Sequence, residues 1–333
     1  MKAIVITRPG GPEVLELRDV PDPAPQRGEV LVRVRATAVN RADLLQRMGH
    51  YPAPPGSPAD IPGLEFAGVV EACGPEARGV EVGAQVFGIA GGGSQAEYVA
   101  IPAGQCAPVP QGLDLVAMGG APEAFVTAHD ALVTQARLQA GEWVLVHAVG
   151  SGVGTTALQL ATALGARVIG TARTQAKLDR CRELGLVHAI VPPTTDGELD
   201  VDALAWSIIE ATDGGAHVTI DLAGGRYVEA DIAAASLQGR IVLVGSIAGA
   251  RATLSMPAIM GKRLTIRGTV LRARNTHEKA AATDAFARDV VPLLAERKVA
   301  PVVECVLPLD RAAEAYDLVA SDATFGKVIL DCT

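Results

Sequence analysis

Aromatic residues are scarce in this chain: two Trp, four Tyr and five Phe make up 3% of its 333 residues. That argues against a platform on which successive nucleobases stack. Positive charge is short as well. Lys and Arg number 29 against 37 Asp and Glu, a formal net charge of −8, so no general nucleic-acid or anionic-membrane surface is expected, although a local basic pocket is compatible with it. No apolar run reaches the length of a membrane span. The N-terminus, M-K-A-I-V-I-T-R-P-G-G, reads as a short strand and a turn without the apolar core of a signal peptide. The five cysteines (Cys73, Cys106, Cys181, Cys305 and Cys332) are dispersed, odd in number and form no C-x-x-C pair. They read as reduced, structurally ordinary thiols of a cytoplasmic protein. Apolar residues, by contrast, are plentiful at 49% with 20% charged, enough for a sizeable core in about two domains.

The texture changes once along the chain. Residues 1–120 read as short strands such as Val30–Ala36, Ala67–Ala72 and Gln85–Ile89, punctuated by Pro- and Gly-rich turns such as P-D-P-A-P-Q-R-G and Y-P-A-P-P-G-S-P. From Ala121 onward, helical patterns alternate with short apolar runs. Trp143–Val149, Arg167–Thr171, Ala189–Val191, Val218–Leu222, Arg240–Gly245 and Leu264–Gly268 are the strand candidates, and their spacing predicts right-handed crossovers and a parallel sheet. The tail carries helical stretches near Lys279–Glu296 and Asp310–Ser321 and ends on an apolar strand, Lys327–Leu330. A last strand after such a unit often returns to another domain, so the β-rich domain is expected to be discontinuous.

The most informative stretch is W-V-L-V-H-A-V-G-S-G-V-G (Trp143–Gly154), followed by T-T-A-L-Q-L-A-T-A-L-G. An apolar run enters a glycine cluster and a helix-period pattern leaves it, as at the opening of a dinucleotide-binding βαβ unit. Glycine lets backbone N–H groups approach a pyrophosphate, and the helix N-terminus adds donors and the positive end of its dipole. The strict G-x-G-x-x-G frame is not met: counted back from Gly154, it places Ser151 and Val149 at the other two glycine positions. Ordinary αβ turns also use glycine, so the strand before the turn and the periodicity after it carry the reading.

In an NAD-binding unit an acid closes the second strand and holds the ribose 2′-hydroxyl. Here that place, V-I-G-T-A-R-T (Val168–Thr174), has no acid but has Arg173, with Lys177 one turn on. A 2′-phosphate wants such cations, and Thr171 and Thr174 add hydroxyls, so NADPH is the expected cofactor. The competing reading is that both cations are simply solvated, as most are. A catalytic zinc needs three converging Cys, His or carboxylate ligands and a structural one needs four close Cys. Neither set is present: A-V-N-R-A-D-L-L-Q-R-M-G-H-Y has Asn40 and no Cys, and P-G-L-E-F-A-G-V-V has Leu64 before Glu65 and no His. Alcohol oxidation is disfavoured without a Lewis acid.

These residues match a known pattern. N-R-A-D-L-L-Q-R-M-G-H-Y (Asn40–Tyr51), P-P-G-S-P-A-D-I-P-G-L-E-F-A-G (Pro54–Gly68), V-H-A-V-G-S-G-V-G-T-T-A-L-Q-L (Val146–Leu160), I-D-L-A-G-G (Ile220–Gly225), G-T-V-L-R-A-R (Gly268–Arg274) and F-G-K-V-I-L (Phe325–Leu330) together resemble the zinc-free quinone oxidoreductases of the medium-chain dehydrogenase/reductase superfamily. The resemblance runs end to end and looks closest to the branch that includes the stress-inducible human quinone oxidoreductase. It implies an α/β chain with a discontinuous GroES-like catalytic domain (1–121 and 266–333), a Rossmann domain (122–265) and a cleft at their junction. It places Asn40 and Tyr51 at the quinone site. It places Thr127 near the nicotinamide, Gly150, Ser151, Gly152 and Val153 at the pyrophosphate, and Arg173 and Lys177 at the 2′-phosphate. Gly245 and Ser246 should lie by the nicotinamide end, and Leu271, Phe325 and Lys327 on the cofactor wall. Two departures stand out. Many relatives carry a tyrosine near the 2′-phosphate in a strand of the type I-N-Y, where this chain has A-I-V-P-P with Pro192. The position of Arg173 is usually Gly or Ser in relatives, and an Arg there favours NADPH.

A quinone is electrophilic and takes hydride without an acid of matched pKa, so the protein mainly has to bring two rings together. Asn40 and Tyr51 are donors suited to a developing oxyanion. The plainer readings are a satisfied loop amide for Asn40 and a turn residue among prolines for Tyr51. His147 reads as a packed core histidine, His129 as a weak cleft candidate, Asp43 as a helix-start residue and Asp221 as a turn former. Glu278-Lys279 and Arg288-Asp289 read as a solvated helix face. An NADPH-dependent reductase of activated double bonds, which needs an ordered proton donor more, stands beside quinone reduction. So does an NADPH-binding sensor or RNA-binding protein with little turnover, which the acidic charge disfavours. Leu264–Gly268 is expected at a sheet edge, apolar enough to pair with its copy in a homodimer. The expected partners are thus a small-molecule quinone and a second copy, with no nucleic acid and no membrane.

Overall fold

The Pro- and Gly-punctuated first third folds, in the computed structural model of residues 1–333, into short strands paired largely antiparallel. The longest, Glu29–Val39, is the spine: it pairs with Glu65–Cys73, with Tyr98–Pro102 and, from the far end of the chain, with Lys327–Asp331. Val30, Val32 and Val34 are buried while Arg33 is exposed, the period-2 alternation of a half-buried strand. The last strand thus closes onto the first sheet, antiparallel to the spine and parallel to Val303–Pro308. The β-rich domain is therefore discontinuous. Met1–Val126 with Leu271–Thr333 form one compact unit, and Thr127–Val270 the other. The first unit is built on a core that includes Val32, Phe66, Val86, Tyr316 and Leu330.

Two features of the tail differ from the sequence reading. The stretch 279–296 is two helices, Thr276–Asp289 and Val291–Ala295, because Pro292 cannot continue a helix interior and instead sits in the first turn of the second. Lys279 is buried rather than solvated: it shares one helix face with Thr283 and Phe286, and the helix packs on Ala103–Gln105 and Cys106–Pro108. Arg288 and Asp289 do form an exposed ion pair.

The second unit is a six-stranded sheet, all parallel. In chain order its strands are Trp143–Val146, Arg167–Thr171, Leu186–Ile190, Ala216–Asp221, Ala235–Leu243 and Thr265–Gly268, and across the sheet they run 3-2-1-4-5-6. That is the Rossmann order, in which ligands bind where the winding reverses, beyond the carboxyl ends of strands one and four. Leu145, Ile169, Leu204, Ile208 and Ala230 fill one side of the sheet. Thr265–Gly268 is an edge strand, as its position in the sequence implied. No helix is long and apolar enough to cross a membrane.

Candidate active site

In the first unit the chemistry gathers around Glu65, at the start of its strand. The hydroxyls of Thr37 and Ser94 both donate to its carbonyl, at 2.6 and 2.7 Å, and fix the strand end. Its fully buried carboxylate then collects three donors. Lys327 Nζ lies 2.5 Å and Asn40 Nδ2 2.8 Å from Oε1, and the backbone N–H of Glu123 lies 2.9 Å from Oε2. Glu123 sits in the first turn of the helix Pro122–His129, so Glu65 also meets the positive end of that helix. Lys327 Nζ donates a second bond to Asn40 Oδ1 at 2.6 Å. Both ends of the Asn40 amide are thus engaged within the unit. Asp43, in the first turn of the helix Arg41–Arg47, accepts from the backbone N–H groups of Asn40 and Gly63. Burial nonetheless pushes its pKa up to about 6.

Tyr51 is held by a different residue. Arg272, itself buried, stacks its guanidinium 5.0 Å from the Tyr51 ring centroid and donates to the Tyr51 carbonyl at 3.0 Å. Its other bonds go to the Gly91 carbonyl and to Gln46 Oε1. One side chain therefore ties together the loop of Tyr51, the helix of Gln46 and the turn at Gly91. Partial burial raises the Tyr51 pKa further, so the phenol is a neutral donor at physiological pH. Glu123 shares this region. Its carboxyl is partly exposed, and burial together with the Glu65 carboxylate pushes its pKa up to about 8.

In the second unit the turn after Trp143–Val146 is built as its glycines require. Ser151 N-caps the helix Gly152–Ala163, its Oγ accepting from Gly154 N–H at 3.1 Å. A Cβ on Gly154 would stand 2.3 Å from the Ala148 carbonyl oxygen, so only glycine allows the helix this close to the turn. Ser151, Gly152 and Val153 are partly exposed at that helix start, and Gly150 is buried. Gly245 and Ser246 follow strand five. The Val244 and Gly245 N–H groups bond to the Asp221 carbonyl, and the loop packs on Gly224, where a Cβ would lie 2.8 Å from Ser246 Cα. Asp221 shapes this turn, as expected: its Oδ1 accepts from Ala223 and Gly224 N–H. Arg173 is exposed and Lys177 partly exposed beyond the end of strand two, with Arg173 close enough to influence the Tyr227 hydroxyl. Tyr227 stands edge-on to His147 at 4.8 Å. His147 is fully buried, bonded at 2.8 Å to both Thr171 Oγ1 and Asp231 Oδ1. It is a core histidine with an acid partner.

Of the residues singled out from the sequence, the structure brings Asn40 and Lys327 into one cluster and sets Tyr51 on Arg272. Phe325 and Leu271 are buried in the first unit. Thr127 is partly exposed on the helix that Pro122 begins. Sequence reasoning missed Glu65, Glu123 and Arg272. The signals were there in P-G-L-E-F-A-G, P-E-A-F-V-T-A and G-T-V-L-R-A-R, each a charge set in an apolar run.

The comparisons with known proteins agree with this architecture. Residues 26–111 match the alcohol dehydrogenase GroES-like domain and residues 152–288 the zinc-binding dehydrogenase family. The quinone oxidoreductase of Rattus norvegicus is 31% identical, covering 99% of this chain and 97% of that protein. The chain belongs to the quinone oxidoreductase group of the medium-chain dehydrogenase/reductase superfamily. Among solved structures, mycobacterial Rv1454c complexed with NADPH superposes with a TM-score of 0.87 at 28% identity, covering 99% of both chains. An NAD-dependent alcohol dehydrogenase superposes at 0.86 with 33% identity, again over 99% of both. The protein is an oxidoreductase that uses a nicotinamide cofactor. A zinc ion, implied by one of the family descriptions, does not fit this member. His, Cys, Asp and Glu nowhere gather in a group of three able to hold a metal, and Glu65 and Asp43 are occupied by Lys327, Asn40 and backbone amides.

Proposed function

We propose that this protein is an NADPH-dependent quinone reductase working without a metal. The observation that carries the reading is the Tyr51 phenol, neutral, partly exposed and fixed by Arg272 in a unit whose Glu65 and Asp43 carboxylates are occupied by Lys327, Asn40 and backbone amides. When bound, the reduced nicotinamide supplies the hydride. The chain supplies the rest. The Ser151-capped helix start offers N–H donors to a pyrophosphate. Arg173 and Lys177, with no acid at the end of strand two, suit a 2′-phosphate. Tyr51 donates to the oxygen on which negative charge develops. Asn40, tied at both ends to Lys327 and Glu65, orients the wall beside it.

The test is steady-state NADPH oxidation, with NADH as control, against an ortho-quinone, a para-quinone and a simple enone. Quinone-dependent turnover favouring NADPH is expected, with Arg173→Glu/Lys177→Glu raising KM for NADPH by about ten-fold or more while leaving NADH little affected. Turnover with the enone alone would make the enzyme a double-bond reductase. Tight NADPH binding without turnover would make it a sensor. The assembly that fits this reading is a homodimer joined through the edge strand Thr265–Gly268, preceded by the helix Met256–Lys262 with its exposed Met256 and Met260.

A further inference from the structure

Two carboxyl groups, Glu65 and Glu123, come together in the first unit and are treated in opposite ways. Glu65 takes every donor within reach: the Lys327 ammonium, the Asn40 amide and the backbone N–H of Glu123 itself. The Glu123 carboxyl has no hydrogen bond and no ion pair. The charged groups around it are Glu65 and Asp43 on one side of the balance and Lys327 and Arg272 on the other, with Lys279 and the Tyr51 phenol nearby. Both leading cations are committed elsewhere. Lys327 is bonded to Glu65 and Asn40, and Arg272 to Gly91, Tyr51 and Gln46. Glu123 is left beside the Glu65 carboxylate with no hydrogen-bonded or ion-paired partner of its own, the arrangement that favours keeping one carboxyl of a pair protonated.

We propose that Glu123 stores the proton that completes the reduction and passes it to the substrate through the Tyr51 hydroxyl. This rests on the reductase reading above. Hydride addition oxidises the nicotinamide and reduces the quinone to a hydroquinone anion. The Tyr51 O–H bond then breaks as the hydroquinone O–H bond forms. Glu123 makes no direct hydrogen bond to Tyr51, so one water carries the proton between them: its O–H bond breaks as that of Tyr51 re-forms, the Glu123 O–H bond breaks to restore it, and solvent returns a proton to the Glu123 carboxylate. Glu123 is thus a positioning residue for the proton, and Tyr51 the group that meets the substrate. An enone, whose enolate must be protonated at carbon, depends on the same store more heavily than a quinone does.

The experiment pairs two readouts on the full chain, wild type against Glu123→Gln, with Glu123→Asp as the variant that keeps an acid. The first needs no turnover: infrared difference spectra should show a protonated carboxyl in the wild type that is lost as pH rises through about 8 and is absent from Glu123→Gln. The second is the pH dependence of kcat. The wild type should lose rate on the alkaline side, Glu123→Gln should fall about 100-fold with a flat limb and little change in KM, and Glu123→Asp should recover a sloping limb. No titrating carboxyl, or a Glu123→Gln enzyme with the wild-type limb and rate, overturns the proposal while leaving the reductase reading intact. Absence of turnover by the wild type with every acceptor overturns the reductase reading and this role with it.

Discussion

Lys327 shows how a single residue's role is set by a partner far away in sequence. Its ammonium is 5% exposed and Glu65 fully buried, so each is tolerated only because of the other. Lys327→Met should cost about 3–5 kcal/mol, because it strands a buried carboxylate, whereas the double variant Lys327→Met/Glu65→Gln should lose much less. Urea unfolding of the two variants checks this, and equal losses would show that the pair is not coupled. From the sequence, Lys327 was visible as a member of F-G-K-V-I-L, but its partner lies 262 residues away. No periodicity reports a contact at that separation. His147 was legible as a packed histidine and Asp231, 84 residues on, was not. That pair gives a pH prediction. Burial pushes Asp231 up to about 6, and the neighbouring carboxylate raises His147 against the effect of its own burial. An Asp whose folded pKa exceeds its unfolded value binds more protons folded, so its contribution to stability falls as pH rises between the two. Replacing His147 with Gln removes the compensating cation. The variant's melting temperature should therefore drop below that of the wild type by a margin that widens from about pH 4 to beyond 6. A pH-independent gap would mean that Asp231 stays neutral regardless of its partner.

At the scale of elements, the glycine turn was the most legible part of the chain, including its departure from the standard frame. Gly154 occupies the frame position whose glycine permits close helix–strand packing. Here a Cβ would meet the Ala148 carbonyl oxygen at 2.3 Å and Val149 backbone atoms at 2.8 Å. The two missing glycines are replaced by residues with backbone tasks: Val149 N–H bonds to the Thr171 carbonyl, and Ser151 caps the helix. Gly154→Ala must push backbone against backbone, so it should destabilise by about 1–3 kcal/mol and weaken NADPH binding, read by calorimetry. Ser151→Ala loses only the cap, about 1 kcal/mol. If Gly154→Ala proves the milder of the two, the turn is looser than its geometry implies. Elements were harder to read where side chains, not backbone, decide. Lys279 belongs to a helix whose polar pattern looks solvated, yet its stem and Phe286 lie on the face that packs against the sheet domain. A long cationic side chain hides such burial from a hydropathy pattern.

At the scale of the whole molecule, the parallel direction of the strands follows from the alternation of helical and apolar segments, whereas their 3-2-1-4-5-6 order does not, because other doubly wound orders share that alternation; the return of the C-terminal strand to the first sheet matches its position after the last crossover. What remains is the open edge. Thr265–Gly268 has one hydrogen-bonding side paired to Ala235–Leu243 and the other unpaired within the chain. The helix that leads into it, Met256–Lys262, leaves Met256 and Met260 58% and 66% exposed. An exposed edge beside large apolar side chains is an aggregation hazard unless a specific partner covers it. A second copy related by a two-fold axis meets both needs, continuing one sheet into the other and burying the methionines of each protomer. The proposed homodimer should sediment at about twice the 34.2 kDa of one chain. Met256→Glu/Met260→Glu places two like charges per protomer in that contact and should shift the protein toward monomer at micromolar concentration, with Rossmann-unit stability little changed because both positions are solvent-facing within one chain. A wild type that sediments at the mass of one chain, or a double variant that remains dimeric, would place the partner of this edge elsewhere.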